Sequence, residues 1–323
     1  MDEFSFIDLI KQKTYRQPSI IRGIGDDAAV FRQSSQDIVT AVDTFVEDVH
    51  FSRSTMSPFH IGYRSLAANI SDLSAMGAKP AFYLVSIVIP SSWKEDDLDG
   101  LYKGMADLGA AYQMDLIGGD TVSGNELALS ITVIGFVNSD KVRYRHTAKP
   151  GDVVFVTGTL GDSAAGFHIL TNPGEYLDQA YYSRRHRMPT IRVDFASELE
   201  NLSRVTLNDI SDGIANEANE IAEDSHVNLT VYEEKLPVSQ NYNQFPESQQ
   251  SKWQLYGGED FELLGTVPSQ DWDELKDIAD RTQTPVTEVG YVSKNTDNGH
   301  YVWLVDRQQT NKLLEKKGYT HLK

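Results

Sequence analysis

Apolar and polar positions follow two rhythms along the chain, one helical and one extended. Phe4, Ile7, Leu9 and Ile10 recur at helical spacing and predict a helix over 4–13. A second helix is predicted over 60–76. Ile61, Leu66, Ile70 and Leu73 form its apolar face, and Gly77 and Pro80 supply the stop signal. The stretch 96–112 also reads as helical. Between these, 38–42, 82–89 and 127–137 are apolar or alternating runs of strand length. The first half is therefore an expected α+β domain whose strands carry acidic residues at their ends.

Pro150-Gly151 is strong turn chemistry and marks a boundary, which divides the chain into domains 1–147 and 148–323. The apolar run 153–157 then leads into a glycine-rich loop, Gly158-Thr159-Leu160-Gly161, and a helix from Asp162. Backbone N–H groups at such a strand-to-helix loop can hold an anion, and a purely structural turn fits equally well. A helix over 214–222 and a strand over 261–267 follow. Asn298-Gly299, between Tyr291-Val292 and 301–305, predicts a hairpin turn. The stretch 237–252 is rich in Gln, Asn and Ser and reads as a surface loop. The basic run Arg184-Arg185-His186-Arg187 reads as a solvated helix surface or a phosphate contact.

With 323 residues, two α/β domains are the natural expectation. The net charge of −18 argues against a nucleic-acid partner, which would call for a basic face. The absence of cysteine excludes disulfides, thiolate catalysis and zinc–thiolate sites. No apolar run approaches membrane-span length, and the N-terminus is acidic, so a cytoplasmic protein without a membrane partner is expected.

Charge changes the picture at six points, where carboxylates stand beside glycines or at the ends of apolar strands. These are Gly25-Asp26-Asp27, Val42-Asp43-Thr44, Ser71-Asp72-Leu73, Gly118-Gly119-Asp120, Asp209-Ile210-Ser211-Asp212-Gly213 and Gly257-Gly258-Glu259-Asp260. Each alone serves as a helix cap, a turn or a solvated face residue. Repeated six times, the pattern points to carboxylates gathered around cations, because clustered like charges need them. Oxygen-only ligation favours Mg²⁺ or Ca²⁺, and such ions neutralise a polyphosphate. Gly23-Ile24-Gly25-Asp26-Asp27-Ala28 matches a loose dinucleotide fingerprint, but two aspartates would face the pyrophosphate. No P-loop or protein-kinase signature is present.

Taken together, these segments resemble the thiamine-monophosphate kinase family of the aminoimidazole ribonucleotide synthetase-like superfamily. The resemblance runs through residues 23–30, 42–51 (VDTFVEDVHF), 69–80 (NISDLSAMGAKP), 116–121 (LIGGDT), 148–166 (AKPGDVVFVTGTLGDSAAG), 209–213 (DISDG) and 257–262 (GGEDFE). It implies an N-terminal α/β domain with a mixed sheet that pairs with a second copy, and a larger C-terminal α/β domain. The implied reaction uses ATP as co-substrate and several Mg²⁺ ions to convert thiamine monophosphate into thiamine diphosphate. By position, Asp26, Asp43, Asp72, Asp120, Asp209 and Asp212 match the family's Mg²⁺ ligands. Tyr102, Gly119, Asp120, Arg145 and Ser211 match its ATP contacts, and His50, Glu259 and Tyr319 its acceptor contacts. Where some members have Ser-Thr before the residue matching Asp43, this chain has Ala41 and Val42, so any metal contact there falls to backbone carbonyls. The rival readings are an acidic nucleotide-binding protein without catalysis and a superfamily enzyme with another acceptor, such as the carbamoyl-dehydrating hydrogenase maturation factor. The missing cysteine speaks against the latter.

Overall fold

The computed structural model describes Gln12 and residues 14–22, 30–31, 35–295, 299 and 301–317. Asp26, Tyr319, Asn298 and all but Gln12 of the predicted helix over 4–13 lie outside the described residues. The chain divides into two compact units, one of Met1–Leu73 with Ala78–Val142, the other of Ser74–Gly77 with Arg143–Lys323.

In the first unit, β1 (Ile20–Arg22) pairs antiparallel with β2 (Val30–Phe31). The main sheet is built from β3 (Gln36–Val46), β4 (Lys79–Pro90), β5 (Asp115–Gly124) and β6 (Ala128–Asn138). Its order is β3-β6-β4-β5, and only the β4–β5 pair is parallel. Period-two burial explains the register. Val85, Ile87, Leu129, Ile131 and Val133 share one buried face. Helices α1 (Pro58–Ala75) and α2 (Glu95–Ala111) cover it. The two helices approach through Gly62 and Gly104, where a Cβ would enter the carbonyls of Leu101 and Phe59 respectively. On the other face Ile38, Val42 and Val122 are exposed.

In the second unit, the described residues form seven strands in the order β13-β12-β9-β11-β7-β10-β8. They are β7 (Asp152–Thr157), β8 (Thr206–Asp209), β9 (Val227–Tyr232), β10 (Leu263–Pro268), β11 (Val286–Lys294), β12 (Val302–Val305) and β13 (Asn311–Leu313). Alternate residues of β7 feed two cores. Val154 and Val156 pack with Ile214, Ala218 and Ile221 of α6 (Ile214–Ser225). Phe155 packs with Phe195 of α5 (Val193–Glu198) and with Leu275 and Ile278 of α8 (Trp272–Arg281). Helices on both faces explain why these strands read as continuous apolar runs.

Two expectations fail here. The strands on either side of Asn298-Gly299 are not hairpin partners, because β9 lies between β11 and β12 and pairs with both. The alternating pattern marked two strands correctly but carries no record of which neighbour each takes. The stretch 237–252 is also no plain loop. Tyr242 and Phe245 are buried in a cluster with Ile169 of α3 (Asp162–Thr171) and Tyr182 of α4 (Gln179–Arg187), beside α7 (Glu247–Tyr256). Two aromatic anchors outweigh the polar composition around them.

Candidate functional site

In the first unit, the site residues hang on the edge strand β3 and on α1. Asp43 is half-buried. Burial pushes its carboxyl above the ordinary range, and the nearby His50 opposes that shift. The Asp43 backbone N–H donates to Oδ1 of Asn69 on α1 at 3.0 Å. Asp72 lies three residues further along that helix, so Asn69 and Asp72 share one face. His50 Nδ1 accepts the Val46 N–H at 3.0 Å, which puts the proton of the neutral ring on Nε2. Asp43, with His50 near it, therefore faces the helix-covered side of the sheet, and Asn69 ties this strand to the helix that carries Asp72.

Asp120 does not join them. The register aligns Thr44, Ser130, Ser86 and Asp120 across all four strands, and neighbours in register share a face. Asp43 has the opposite parity to Thr44. Asp120 thus stands on the other face, and β6 and β4 separate β5 from β3, a span of about 14 Å at ordinary strand spacing. Gly119 packs against the Val85 backbone. Tyr102 is buried on α2 and lines a cavity of about 330 Å³ with Arg16, Tyr83, Asp99 and Lys103. Burial raises both tyrosine hydroxyls above their ordinary range.

In the second unit, two distant segments interlock. Ile210 N–H donates to the Glu262 carbonyl at 2.7 Å, Phe261 N–H to the Ile210 carbonyl at 3.0 Å, and Glu259 N–H to the Ser211 carbonyl at 2.7 Å. Asp209, Ser211, Asp212 and Glu259 are thereby brought to one end of β8 and β10. Glu259 and Phe261 adopt left-handed backbone, at φ 56° and 52°, a conformation that side-chain-bearing residues adopt mostly where structure enforces it. Gly213, at φ 108°, has room for no side chain, since a Cβ would meet the Tyr256 backbone.

Behind this loop lies Glu217, which the sequence reading missed. It is 2% exposed and accepts the Asp212 N–H at 3.0 Å and the Asn208 side-chain amide at 2.9 Å. Burial and the neighbouring Asp209 push its carboxyl up to about 9. Asp209, Glu220 and Asp212 add to the effect of burial, and their oxygen-only donor set fits a hard divalent cation. Among the described residues no three such groups converge closely enough to hold a metal ion. Arg145 pairs with Glu220 at 2.8 Å, on the same helix as Glu217.

The glycine-rich loop after β7 holds a carboxyl group of the chain itself. Gly161 N–H and Ser163 N–H donate to the two carboxylate oxygens of Asp260, at 2.6 and 2.9 Å. Asp260 is fully enclosed, and burial with the adjacent Asp162 pushes it up to about 7. The basic run is divided. Arg185 is buried and pairs with Glu262 at 2.9 Å, so it neither lies on a solvated surface nor offers itself to phosphate. Arg192 completes Glu262 with bonds of 2.7 and 2.8 Å.

The family model described as AIR synthase related protein, N-terminal domain, matches residues 25–137, and its C-terminal counterpart matches residues 149–302. The chain is 44% identical to a thiamine-monophosphate kinase of Bacillus subtilis (strain 168), over the whole of both chains. Among solved structures, thiamine-monophosphate kinase from Stenotrophomonas maltophilia K279a superposes with a TM-score of 0.84 at 32% identity, covering 94% of this chain and 96% of that one. A structure described as AaThiL complexed with AMPPCP and TMP gives 0.78 at 31% identity, covering 99% and 97%.

Proposed function

The chain belongs to the thiamine-monophosphate kinase family, and on that premise we propose that it transfers the γ-phosphoryl group of ATP to the phosphate of thiamine monophosphate. The products are ADP and thiamine diphosphate. The observation that supports this reading is the interlocking of the 209–213 and 257–262 loops, which bonds Glu259 to Ser211; the reading gives Glu259 to the acceptor and Ser211 to ATP. The relative solved with AMPPCP, an ATP analogue, and TMP supports the pairing of substrates.

In this mechanism an anionic oxygen of the acceptor phosphate attacks the γ-phosphorus in line. The bond to the β,γ-bridging oxygen breaks, and its electron pair leaves with ADP. The attacking oxygen is already ionised near neutral pH, so no strong base is needed and positioning dominates. Asp26, Asp43, Asp72, Asp120, Asp209 and Asp212 are the residues that would hold magnesium, whose chemistry here is neutralisation of the polyphosphate. His50, donating from Nε2, and Glu259 orient the acceptor, with Tyr319 against its ring. Tyr102, Gly119, Arg145 and Ser211 contact ATP.

The same reading gives a homodimer. Ile38, Val42 and Val122 are exposed on the open sheet face and suit burial against a second copy. Asp43 and Asp120 occupy opposite edge strands, so a single cage holding both takes one of them from that second copy.

Incubation with ATP, MgCl₂ and a panel of phosphorylated acceptors tests the function. Thiamine diphosphate is the expected product, and Glu259→Gln is expected to raise KM for thiamine monophosphate while leaving KM for ATP in place. ADP release without preference for that acceptor would refute the reading.

A further inference from the structure

The second unit carries a cavity of about 590 Å³ that none of the described site residues lines. Lys149, Arg204, Lys294, His146 and His226 are in its wall, and among the described residues none that lines it is acidic. The chain has 47 acidic and 29 basic residues, so chance would give such a wall more carboxylates than cations. The cavity also lies at the far end of the sheet. Asp152 and Lys294 stand near it on β7 and β11, whereas Thr157 and Val286 mark the opposite ends of those strands, and Asp209 ends β8 beside Leu263 at that same opposite end.

The wall is built rather than loose. Asp152 is 3% exposed and grips the Arg204 guanidinium through both oxygens, one of them at 2.7 Å. Arg204 also donates to the Thr147 carbonyl at 3.0 Å. Ser225 Oγ accepts the Ala148 N–H at 3.1 Å and donates to the Arg145 carbonyl at 2.7 Å. The 145–149 segment is therefore fixed against both α6 and Arg204. Asp152 neutralises Arg204, but among the described residues Lys149 and Lys294 form no ion pair. Two lysines lining a cavity with fixed walls make a site for a compact dianion or larger, and the volume exceeds what one phosphate fills.

We propose that this cavity binds a diphosphate group, held by Lys149 and Lys294 and separate from the catalytic site. Inorganic pyrophosphate is the probe, titrated by calorimetry into the full-length protein without ATP. Binding that weakens as salt is raised is expected, and Lys149→Ala or Lys294→Ala each weakens it about tenfold, the effect of one charge-assisted hydrogen bond. Turnover and Tm of both variants stay at wild-type values, and saturating AMPPCP leaves the pyrophosphate signal intact. Thiamine diphosphate titrated under the same conditions distinguishes the source. Tighter binding than pyrophosphate, with the same dependence on the two lysines, assigns an organic diphosphate; weaker binding assigns the free anion. Unchanged affinity in both lysine variants, no binding at all, or displacement of pyrophosphate by AMPPCP overturns the proposal.

Discussion

The backbone N–H of Asp43 is bonded to the side-chain amide oxygen of Asn69 at 3.0 Å, and the same amide donates to the Ser65 carbonyl at 2.9 Å. One fully buried side chain thus joins the edge strand β3 to helix α1 and fixes the backbone from which Asp43 projects. Asn69→Ala leaves the Asp43 N–H without this acceptor. A loss of about 2 kcal/mol in urea unfolding is expected, with a fall in turnover. Wild-type values for both would show that the bond positions nothing.

Asp43→Asn and Asp120→Asn should each lower turnover at least about a hundredfold while circular dichroism stays unchanged. Asp43→Asn should not lower stability, because its carboxyl is held above the ordinary range by burial, so the charged form is the disfavoured one. Near-normal turnover at limiting Mg²⁺ in both variants contradicts the assignment.

Mixing those two inactive variants and letting subunits exchange tests the shared cage. Half of the dimers then combine one of each, and one of their two sites carries both native aspartates. Activity should recover to about a quarter of wild type. No recovery, with exchange verified by mass, would place both carboxylates in one subunit's cage.

Glu262 is buried between Arg185 and Arg192, at 2.9 and 2.7 Å. Arg192→Met removes one partner from an enclosed carboxylate and should cost about 3 kcal/mol in chemical denaturation. Adding Glu262→Gln to that variant should recover part of the loss. A double variant no better than the single would mean that charge imbalance is not the cause.

Asp260 offers a pH test. Its carboxyl is raised from 3.8 to about 7 in the folded protein, so the folded state holds a proton that the unfolded chain has released across that window. The stability linked to this group is complete below 3.8 and is lost as pH rises through about 7. Asp260→Asn has no proton to lose, and it replaces an oxygen acceptor facing the Gly161 and Ser163 N–H groups with a donor. Wild type should therefore be the more stable, by a margin that narrows between about pH 5 and about pH 7. A margin constant with pH would show that Asp260 does not titrate there.

Much of the fold was legible because the core rewards local rhythm. The strand predicted over 82–89 is found as Lys79–Pro90, and the helix predicted over 96–112 as Glu95–Ala111. The pattern was silent where pairing partner decides. It suggested a hairpin between β11 and β12, yet β9 separates them. Composition misled at 237–252, where Tyr242 and Phe245 are anchors among polar neighbours. It misled again at Arg185, whose charge is spent on Glu262 rather than on solvent.

By itself the sequence determined where glycine-flanked carboxylates stand at strand ends, a local signal that survives in one dimension, and those segments made the family legible. Tertiary structure alone decided what those segments meet. Strand order fixed that the 209–213 and 257–262 loops interlock, and register parity put Asp43 and Asp120 on opposite faces. Burial chose which charges stay inside the protein as partners of one another. Those outcomes depend on contacts between residues far apart in the chain, and their energies come from neighbours that no local window of sequence contains.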